Sequence, residues 1–274
     1  MKKQQGKRLL SIVMVLLCIS MLAGCSGKMT PKKIMKEVEE QLAKVTSFSN
    51  QVDMDIKMES VVRYTKVTMD MNMENTMKPK AGHASGKAQV VMGGVNLESD
   101  LEIYQVMDGK EQVTYSGMDG QWVKEQFHPT KGGIGLDQNF FSEMGESIDS
   151  FQIAEQSVEV DGKPCYEMYG NVSGKELMGV LGSQMIHGFG LVELPDDSMI
   201  AKLKIPVIFD VYEEEMLPAR MLVDMTEVLN ELYDQIGERV DVTHYEIKLQ
   251  FRSYDQVKPI VVPEEIKAIA KGDE

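Results

Sequence analysis

The chain has 274 residues, a formal net charge of −14 at pH 7 and 43% hydrophobic residues. This hydrophobic content excludes a wholly disordered chain. The acidic excess disfavours binding to nucleic acid or to an anionic bilayer surface. The length allows one large all-β or α+β domain, or two smaller domains.

The first residues have the composition of an export signal. Four basic residues precede a fourteen-residue apolar run from Leu9 to Leu22, which is shorter than the roughly 20 residues of a membrane-spanning helix. The run leads into Leu-Ala-Gly-Cys at 22–25. This resembles the lipobox of bacterial lipoproteins, in which the cysteine thiol accepts diacylglycerol. We therefore predict a lipoprotein signal peptide at 1–24, lipid attachment at Cys25, and a short tether at 25–29.

The predicted processing fixes the location and the cysteine chemistry. Two acyl chains on one cysteine give stable anchoring, so we expect the protein at the cell membrane, lipid-anchored on the extracytoplasmic face of the envelope. Cleavage would remove four positive charges and take the net charge from −14 to −18. Cys165 would then have no partner for a disulfide. We interpret Cys165 as a buried inert thiol, with a reactive thiol as the alternative.

A helix is predicted directly after the tether. Thr30-Pro31 is typical of a helix start, with Thr as the N-cap and Pro in the first helical position. The residues that follow place apolar side chains three or four positions apart, which predicts an amphipathic helix of about fifteen residues. Its apolar stripe comprises Ile34, Val38, Leu42 and Val45.

Alternating apolar and polar residues then predict long strands that have one dry face. The first two strands would carry Val52, Met54, Ile56, Met58, Val67, Met69, Met71 and Met73 on that face. The next two, joined at Gly93-Gly94, would carry Ala88, Val90, Met92, Val95, Leu97, Leu101 and Ile103. Asp108-Gly109 and Asp119-Gly120 predict hairpin turns, so the pattern indicates a meander of at least six antiparallel strands.

The rest of the chain mixes helices and strands. Glycines at 132, 133 and 135 indicate a loop, and Phe140, Met144 and Ile148 then lie on a helical stripe. Ser173 with Glu176 predicts a capping box, which opens a helix that carries Leu177, Leu181 and Met185. The remaining predictions are a Gly-rich loop at 187–195, strands at 205–211, 216–226 and 245–251, and a closing helix after Pro263.

The order of elements indicates an α+β protein. Strands do not alternate with helices as they do in a Rossmann fold, and the long one-faced strands predict a single curved antiparallel sheet. Three or four amphipathic helices are available to cover its dry face. The same pattern does not supply the two α/β lobes of a transporter solute receptor.

Several short motifs carry a family resemblance. They are Ser47-Phe48-Ser49 at a strand start, Tyr115 and Trp122 around a hairpin, Leu217-Pro218, Phe-Arg-Ser-Tyr at 251–254, and Val-Pro-Glu-Glu at 262–265. With the lipobox, their order resembles uncharacterised lipoproteins of Gram-positive, clostridia-like bacteria that have a LolA/LppX/LprG-like fold. The resemblance implies a single domain at 30–274, built as a half-barrel of about eleven strands whose concave face is covered by helices. It also implies a hydrophobic cavity, because the better-known relatives carry acylated lipids or lipoproteins.

Methionine is the unusual feature of the predicted dry face. Met is unbranched and polarisable, so a wall of Met can repack around a varied apolar ligand, although Met can equally fill an irregular core. The candidate cavity lining comprises Val52, Met54, Ile56, Met58, Val67, Met69, Met71, Met73, Leu97, Leu101, Phe140, Met144, Leu177 and Leu181. The Gly-rich segments 132–135 and 188–190 are either mouth loops of that cavity or plain turns.

Two functions remain open. The first is an anchored protein that binds or carries an acyl-chain lipid or another hydrophobic envelope ligand. The second is a cell-surface interaction or structural lipoprotein that has a filled core. The four histidines lack metal-site spacing and no catalytic motif is present, so we predict neither enzyme activity, nor a metal, nor a cofactor. We expect a monomer whose partners are the membrane, through its anchor, and an acyl-chain lipid.

Overall fold

The computed structural model describes residues 29–61, 63–127 and 147–272. Thirteen strands in these residues form one open sheet, in the order β13-β6-β5-β4-β3-β2-β1-β12-β11-β10-β9-β7, with β8 beside β9. The strands are β1 (Ser47–Ser60), β2 (Tyr64–Met77), β3 (Lys80–Met92), β4 (Val95–Asp108), β5 (Glu111–Met118), β6 (Gln121–Phe127), β7 (Gln152–Ile153), β8 (Val158–Val160), β9 (Lys163–Ser173), β10 (Lys204–Tyr212), β11 (Pro218–Asp224), β12 (Val240–Tyr254) and β13 (Lys271–Gly272). The predicted α+β class and single curved sheet are confirmed.

Two meanders build the sheet. The predicted six-stranded meander is confirmed as β1–β6, and β9–β12 form a second meander. The two join where β1 pairs with β12, so that Met54 lies between Met69 of β2 and Ile247 of β12. Strand pairs are antiparallel, except that β13 pairs parallel with β6.

Six short α-helices and two 3₁₀ turns accompany the sheet in the described part of the chain. The helices are α1 (Pro31–Leu42), α2 (Gly174–Leu181), α3 (Ser183–Ile186), α4 (Asp197–Ile200), α5 (Thr226–Ile236) and α6 (Glu264–Ile269), and the 3₁₀ turns are Ile148–Ser150 and Gly188–Gly190. None of these helices has both the length and the apolarity that a membrane crossing requires.

The start of α1 is as predicted, but its end is earlier. The Thr30 side chain accepts a hydrogen bond from the Lys33 amide at 3.3 Å, as expected of an N-cap. The helix has 12 residues and stops at Leu42, rather than about fifteen. Val45 lies beyond the helix but is still buried, with 5% of its surface exposed. Its apolar spacing therefore reflects burial in a connection and not a further helical turn.

The predicted capping box of α2 is confirmed. The Ser173 hydroxyl accepts from the Glu176 amide, and the Glu176 carboxylate accepts from the Ser173 amide. Glu176 also accepts from the hydroxyl of Ser147 at 2.6 Å, which ties the helix start to a neighbouring turn. The helix is shorter than predicted, because Gly182 has φ 81° and ends it, so that Met185 belongs to α3.

Helix α5 is absent from the sequence prediction. The predicted strand at 216–226 is confined to β11, and α5 follows it directly at Thr226. The helix buries Leu229, Leu232 and Tyr233 and ends at Gly237, which has φ 77°. The N-cap residue, Met225, makes no side-chain cap hydrogen bond. The Asp224 carboxylate accepts from the Thr226 amide at 2.9 Å instead, and so the usual start signal at the N-cap position is missing.

Large and small side chains alternate across the concave face, which we define as the sheet face that carries Met54. Met69, Met71 and Met73 of β2 lie opposite Ala88, Gly86 and Ala84 of β3. The small residues leave room for the long Met side chains, which are 0–3% exposed. This complementarity produces the close packing that protein interiors require.

A second, smaller cluster lies on the opposite, convex face. Tyr104 and Tyr115 are paired across β4 and β5, and they pack with Trp122 against Val262 and Ile266 from the C-terminal segment. The convex face of the sheet is therefore covered by the C-terminal segment near β4–β6, which explains why tyrosine and tryptophan alternate with the concave-face residues there.

Candidate functional site

Most of the predicted lining residues lie in the packed core. Each of them is at most 4% exposed, and they belong to one cluster that also contains Ile34 and Val38 of α1. The set comprises Val52, Met54, Ile56, Val67, Met69, Met71, Met73, Leu177 and Leu181. Side chains with so little accessible surface leave no room beside them for a guest molecule. Helices therefore cover the methionine side chains of the concave face over most of its length.

Two cavities lie at one end of the sheet. Cavity A, of about 770 Å³, lies where β1 turns into β2 and is lined by Met58, Thr65 and Tyr233, among others. Cavity B, of about 1080 Å³, lies beside the β5–β6 hairpin and is lined by Leu101, Ile103 and other residues. These volumes are comparable to the roughly 300–1,000 Å³ of small-molecule sites.

Three predicted lining residues lie at this end of the sheet. Met58 lines cavity A and Leu101 lines cavity B, and their ligand contact stays a prediction. The prediction of Leu97 as an enclosed lining residue is wrong, because its side chain is 60% exposed. Leu97 faces the concave side, opposite Val90, but it lies near the start of β4, beyond the helices that cover the centre. Phe140, Met144, Cys25 and the Gly-rich segment 132–135 lie outside the described residues.

Exposed apolar side chains lie at the same end of the sheet as the two cavities. They come from the three hairpins at the same end of the sheet, and their exposed fractions lie between 42% and 78%. They are Val61, Tyr64, Val95, Leu97, Met118 and Val123. Met118 and Val123 also line cavity B, so its apolar lining continues onto the surface.

One loop separates the cavities. Residues 188–195, which we term the strap, line both cavities through Gly190, Leu191, Val192, Leu194 and Pro195. The predicted loop at 187–195 is therefore confirmed, and the segment 188–190 lies beside the cavities. Its backbone is left-handed at Gly188, Phe189 and Gly190, a conformation that glycine adopts at little cost and phenylalanine does not.

Polar contacts hold the strap at both ends. Arg63 Nη2 lies 3.1 Å from Glu193 Oε2, and the Tyr233 hydroxyl donates to the Glu193 carbonyl at 3.3 Å. On the cavity B side, the Ser183 hydroxyl and His187 Nε2 each lie 2.8 Å from a different oxygen of Asp197. The strap is thus tied to the β1–β2 hairpin and to α5, and the segment just before the strap is tied to α4 just after it.

The hydrogen bonds to Asp197 control its protonation. Burial on its own would raise the pKa of Asp197, but the hydrogen bonds from His187 and Ser183 outweigh burial and lower the pKa below the ordinary value of 3.8. Because the pKa is lower in the folded state, ionised Asp197 stabilises the fold at neutral pH. This stabilisation is lost as the pH falls through the folded-state pKa.

We therefore expect Asp197→Asn to lower the thermal unfolding temperature at pH 7. The difference from the parent protein should shrink as the pH is lowered below 3.8, because both proteins then have a neutral side chain at this position. Thermal unfolding of the two proteins across this pH range measures the difference. A difference that stays constant with pH would show that the charge of Asp197 does not stabilise this region.

Cys165 is buried and free, as interpreted from the sequence. Burial, with a smaller contribution from the Asp210 carboxylate, raises the pKa of its thiol to about 11. A thiol with such a raised pKa is a poor nucleophile at neutral pH, which supports the inert reading.

Sequence reasoning missed the polar residues beside the cavities. Arg63, Glu193, Ser183 and Asp197 are spread over more than a hundred residues of chain, and no spacing rule connects them. The only available signal was the Gly-rich strap, which does lie between the two cavities.

The fold and these cavities define a class of protein in which one curved antiparallel sheet is packed against short helices and has cavities of mixed apolar and polar lining at one end. The chain belongs to the family of unknown function DUF6612, whose family model matches residues 30–271. No curated protein matches the chain.

Two solved structures are similar to the chain over most of its length. The crystal structure of LprF from Mycobacterium bovis has a TM-score of 0.50 and 12% identity over 85% of this chain and 95% of that one. The Mycobacterium tuberculosis lipoprotein LppX has a TM-score of 0.44 and 11% identity over 84% of this chain and 96% of that one. At this level of identity, the likeness to LprF shows the fold alone, which agrees with the LppX-type fold expected from the sequence.

Proposed function

We propose that this protein binds or carries an acyl-chain lipid or another hydrophobic envelope ligand, held in the cavities at the strap end of the sheet. The observation that carries the proposal is cavity B, whose lining has an apolar part, which includes Leu101, Ile103, Phe189 and Leu191, and a polar part, which includes four carboxylates. A concave site that joins apolar lining to polar groups is the usual form of a ligand site.

The energetics suit exchange with a membrane. Each buried CH₂ contributes about 0.8 kcal/mol relative to water, so a sixteen-carbon chain gains about 13 kcal/mol in a dry cavity. The same chain loses a similar amount when it leaves a bilayer, and transfer between the two is therefore close to neutral. Small changes in the strap or at the hairpin tips would then be enough to bias the direction.

The proposal includes the anchor. The apolar run from Leu9 to Leu22 and the Leu-Ala-Gly-Cys sequence at 22–25 support cleavage before Cys25 and diacylglycerol attachment to its thiol. Two acyl chains would keep the protein on the extracytoplasmic membrane surface, beside the lipids that we propose as ligands.

The proposed role is binding without catalysis. Ser183 and His187 both donate to Asp197, whereas a serine nucleophile requires the histidine as its own proton acceptor. The cluster therefore has the residue types of a hydrolase triad but the wrong order of contacts, and it lacks an activated nucleophile.

The alternative function is a cell-surface interaction or structural lipoprotein. The packed Met wall favours it, because Met69, Met71 and Met73 are at most 3% exposed and offer no space to a ligand. This alternative predicts that the protein takes up no apolar ligand into either cavity.

Filling the shared wall of the cavities separates the two functions. Leu191 lines both cavities and is only partly buried, so Leu191→Trp is expected to occupy cavity space while the fold is kept. Binding of a fluorescent monoacylglycerol, measured by titration, should weaken about tenfold or more, since several buried CH₂ groups of the ligand lose their place.

Ile269→Trp is the matched control, because Ile269 is 57% exposed and lies in α6, outside the lining of either cavity. It should bind the monoacylglycerol as the parent does. Equal binding by the parent and both variants would place the ligand elsewhere, and no binding by the parent would favour the alternative function.

A further inference from the structure

The two cavities differ in charge. Four carboxylates line cavity B, those of Asp119, Glu125, Asp196 and Asp197, and none of its described lining residues is Lys or Arg. Cavity A has one cationic residue, Arg63, which is paired with Glu193 at 3.1 Å, and one further carboxylate, that of Glu238. Cavity B is therefore the more acidic of the two, and its acidic groups lie beside apolar lining from Leu101, Phe189 and other residues.

The carboxylates in cavity B are only partly satisfied by the protein. Asp119 Oδ1 accepts from the Asp100 amide at 3.0 Å, and Asp197 accepts from His187 and Ser183. Each carboxylate oxygen has two lone pairs, so within the described part of the chain these four groups keep acceptor positions that no protein donor fills. A ligand that supplies hydrogen-bond donors or positive charge complements them, whereas a phosphate or carboxylate headgroup adds like charge.

We propose that cavity B selects an amphiphile that has a cationic, amine-bearing polar group and one apolar chain, in preference to an anionic amphiphile of the same chain length. This inference rests on the proposed function, because it places the apolar chain against the β4–β6 side of the cavity. The polar group would then lie among Asp119, Glu125 and Asp196.

Two photoreactive probes test the preference. Both have the same twelve-carbon chain with a diazirine, and they end in either an ammonium or a carboxylate group. The full-length protein in phosphatidylcholine nanodiscs is irradiated with each probe, and labelling of the peptides that contain 101–125 and 183–197 is measured by mass spectrometry. We expect the ammonium probe to label these peptides about tenfold more than the carboxylate probe, as expected for charge pairs near the protein surface.

Two variants of equal net charge separate the effect of the cavity carboxylates from that of the overall charge. Asp119→Asn, Glu125→Gln and Asp196→Asn together should reduce the labelling ratio to about twofold. The control removes three exposed charges that line neither cavity, through Glu155→Gln, Glu159→Gln and Glu214→Gln. It has the same net charge as the cavity variant and should keep the ratio of the parent.

The outcomes separate this inference from the proposed function. If neither probe labels these peptides, the proposed function fails. If both probes label them equally, or the carboxylate probe labels more, ligand binding stands and the headgroup preference is refuted. If the cavity variant and the control lose the preference for the ammonium probe equally, the preference arises from net charge. That result would also refute the proposal.

Discussion

Replacement of Gly86 by alanine is expected to lower the free energy of unfolding by about 3 kcal/mol, at the upper end of the usual cost of overpacking. A Cβ atom at Gly86 would lie 2.0 Å from the backbone oxygen of Asp70 and 2.7 Å from the Cα of Met71. Backbone atoms cannot move away by changing a rotamer, so β2 and β3 would have to separate in the centre of the first meander. Urea unfolding, followed through the single tryptophan, Trp122, measures the change.

Ser85→Ala is the control for this experiment. Ser85 is the neighbour of Gly86 in β3 and lies opposite Asn72, on the other face of the sheet, so the change should stay within about 0.5 kcal/mol. If Gly86→Ala is as stable as Ser85→Ala, the close approach of β2 and β3 is not a feature of the protein.

Replacement of Arg220 by leucine is expected to destabilise the protein by about 3–5 kcal/mol, the usual cost of leaving one member of a buried ion pair alone. Arg220 Nε donates to Asp210 Oδ2 at 2.6 Å, and the Asp210 side chain is 0% exposed. Burial raises the pKa of Asp210, and the Arg220 guanidinium partly offsets this effect. Without Arg220, protonation relieves the buried charge, so the loss of stability should shrink at acid pH.

The double variant Asp210→Leu with Arg220→Leu provides the comparison. Apolar replacement of both partners is often neutral or stabilising, and urea unfolding should therefore show the double variant to be more stable than Arg220→Leu alone. If the two variants are equally unstable, the loss comes from packing of the Arg220 stem and not from an unpaired carboxylate.

The alternation of apolar and polar residues identified the strands, because successive side chains of a strand point to opposite faces of the sheet and only one face is buried. Met54, Met69 and Ile247 occupy one row across three strands, as their positions in the pattern predict. The pattern also contains the small residues Gly86 and Ala88 opposite Met71 and Met69. Their role becomes visible only when the register of β2 against β3 is known.

The extent of helical cover could not be predicted from the same pattern. Met71 and Leu97 both lie at concave-face positions, yet Met71 is 0% exposed and Leu97 is 60% exposed. Alternation reports which face of a strand is apolar, but not how far the helices reach along that face. The cavities lie where the helical cover ends. The strap and Asp197, which border them, are far along the chain from the strands of the first meander.

Native mass spectrometry of the protein extracted from its own membrane tests the central claim most directly. We predict the mass of the chain from Cys25 with its diacylglycerol, plus one further noncovalently bound apolar molecule that is absent from Leu191→Trp. A parent protein that carries only the covalent lipid, and that takes up no monoacylglycerol when one is supplied, would contradict ligand binding in the cavities.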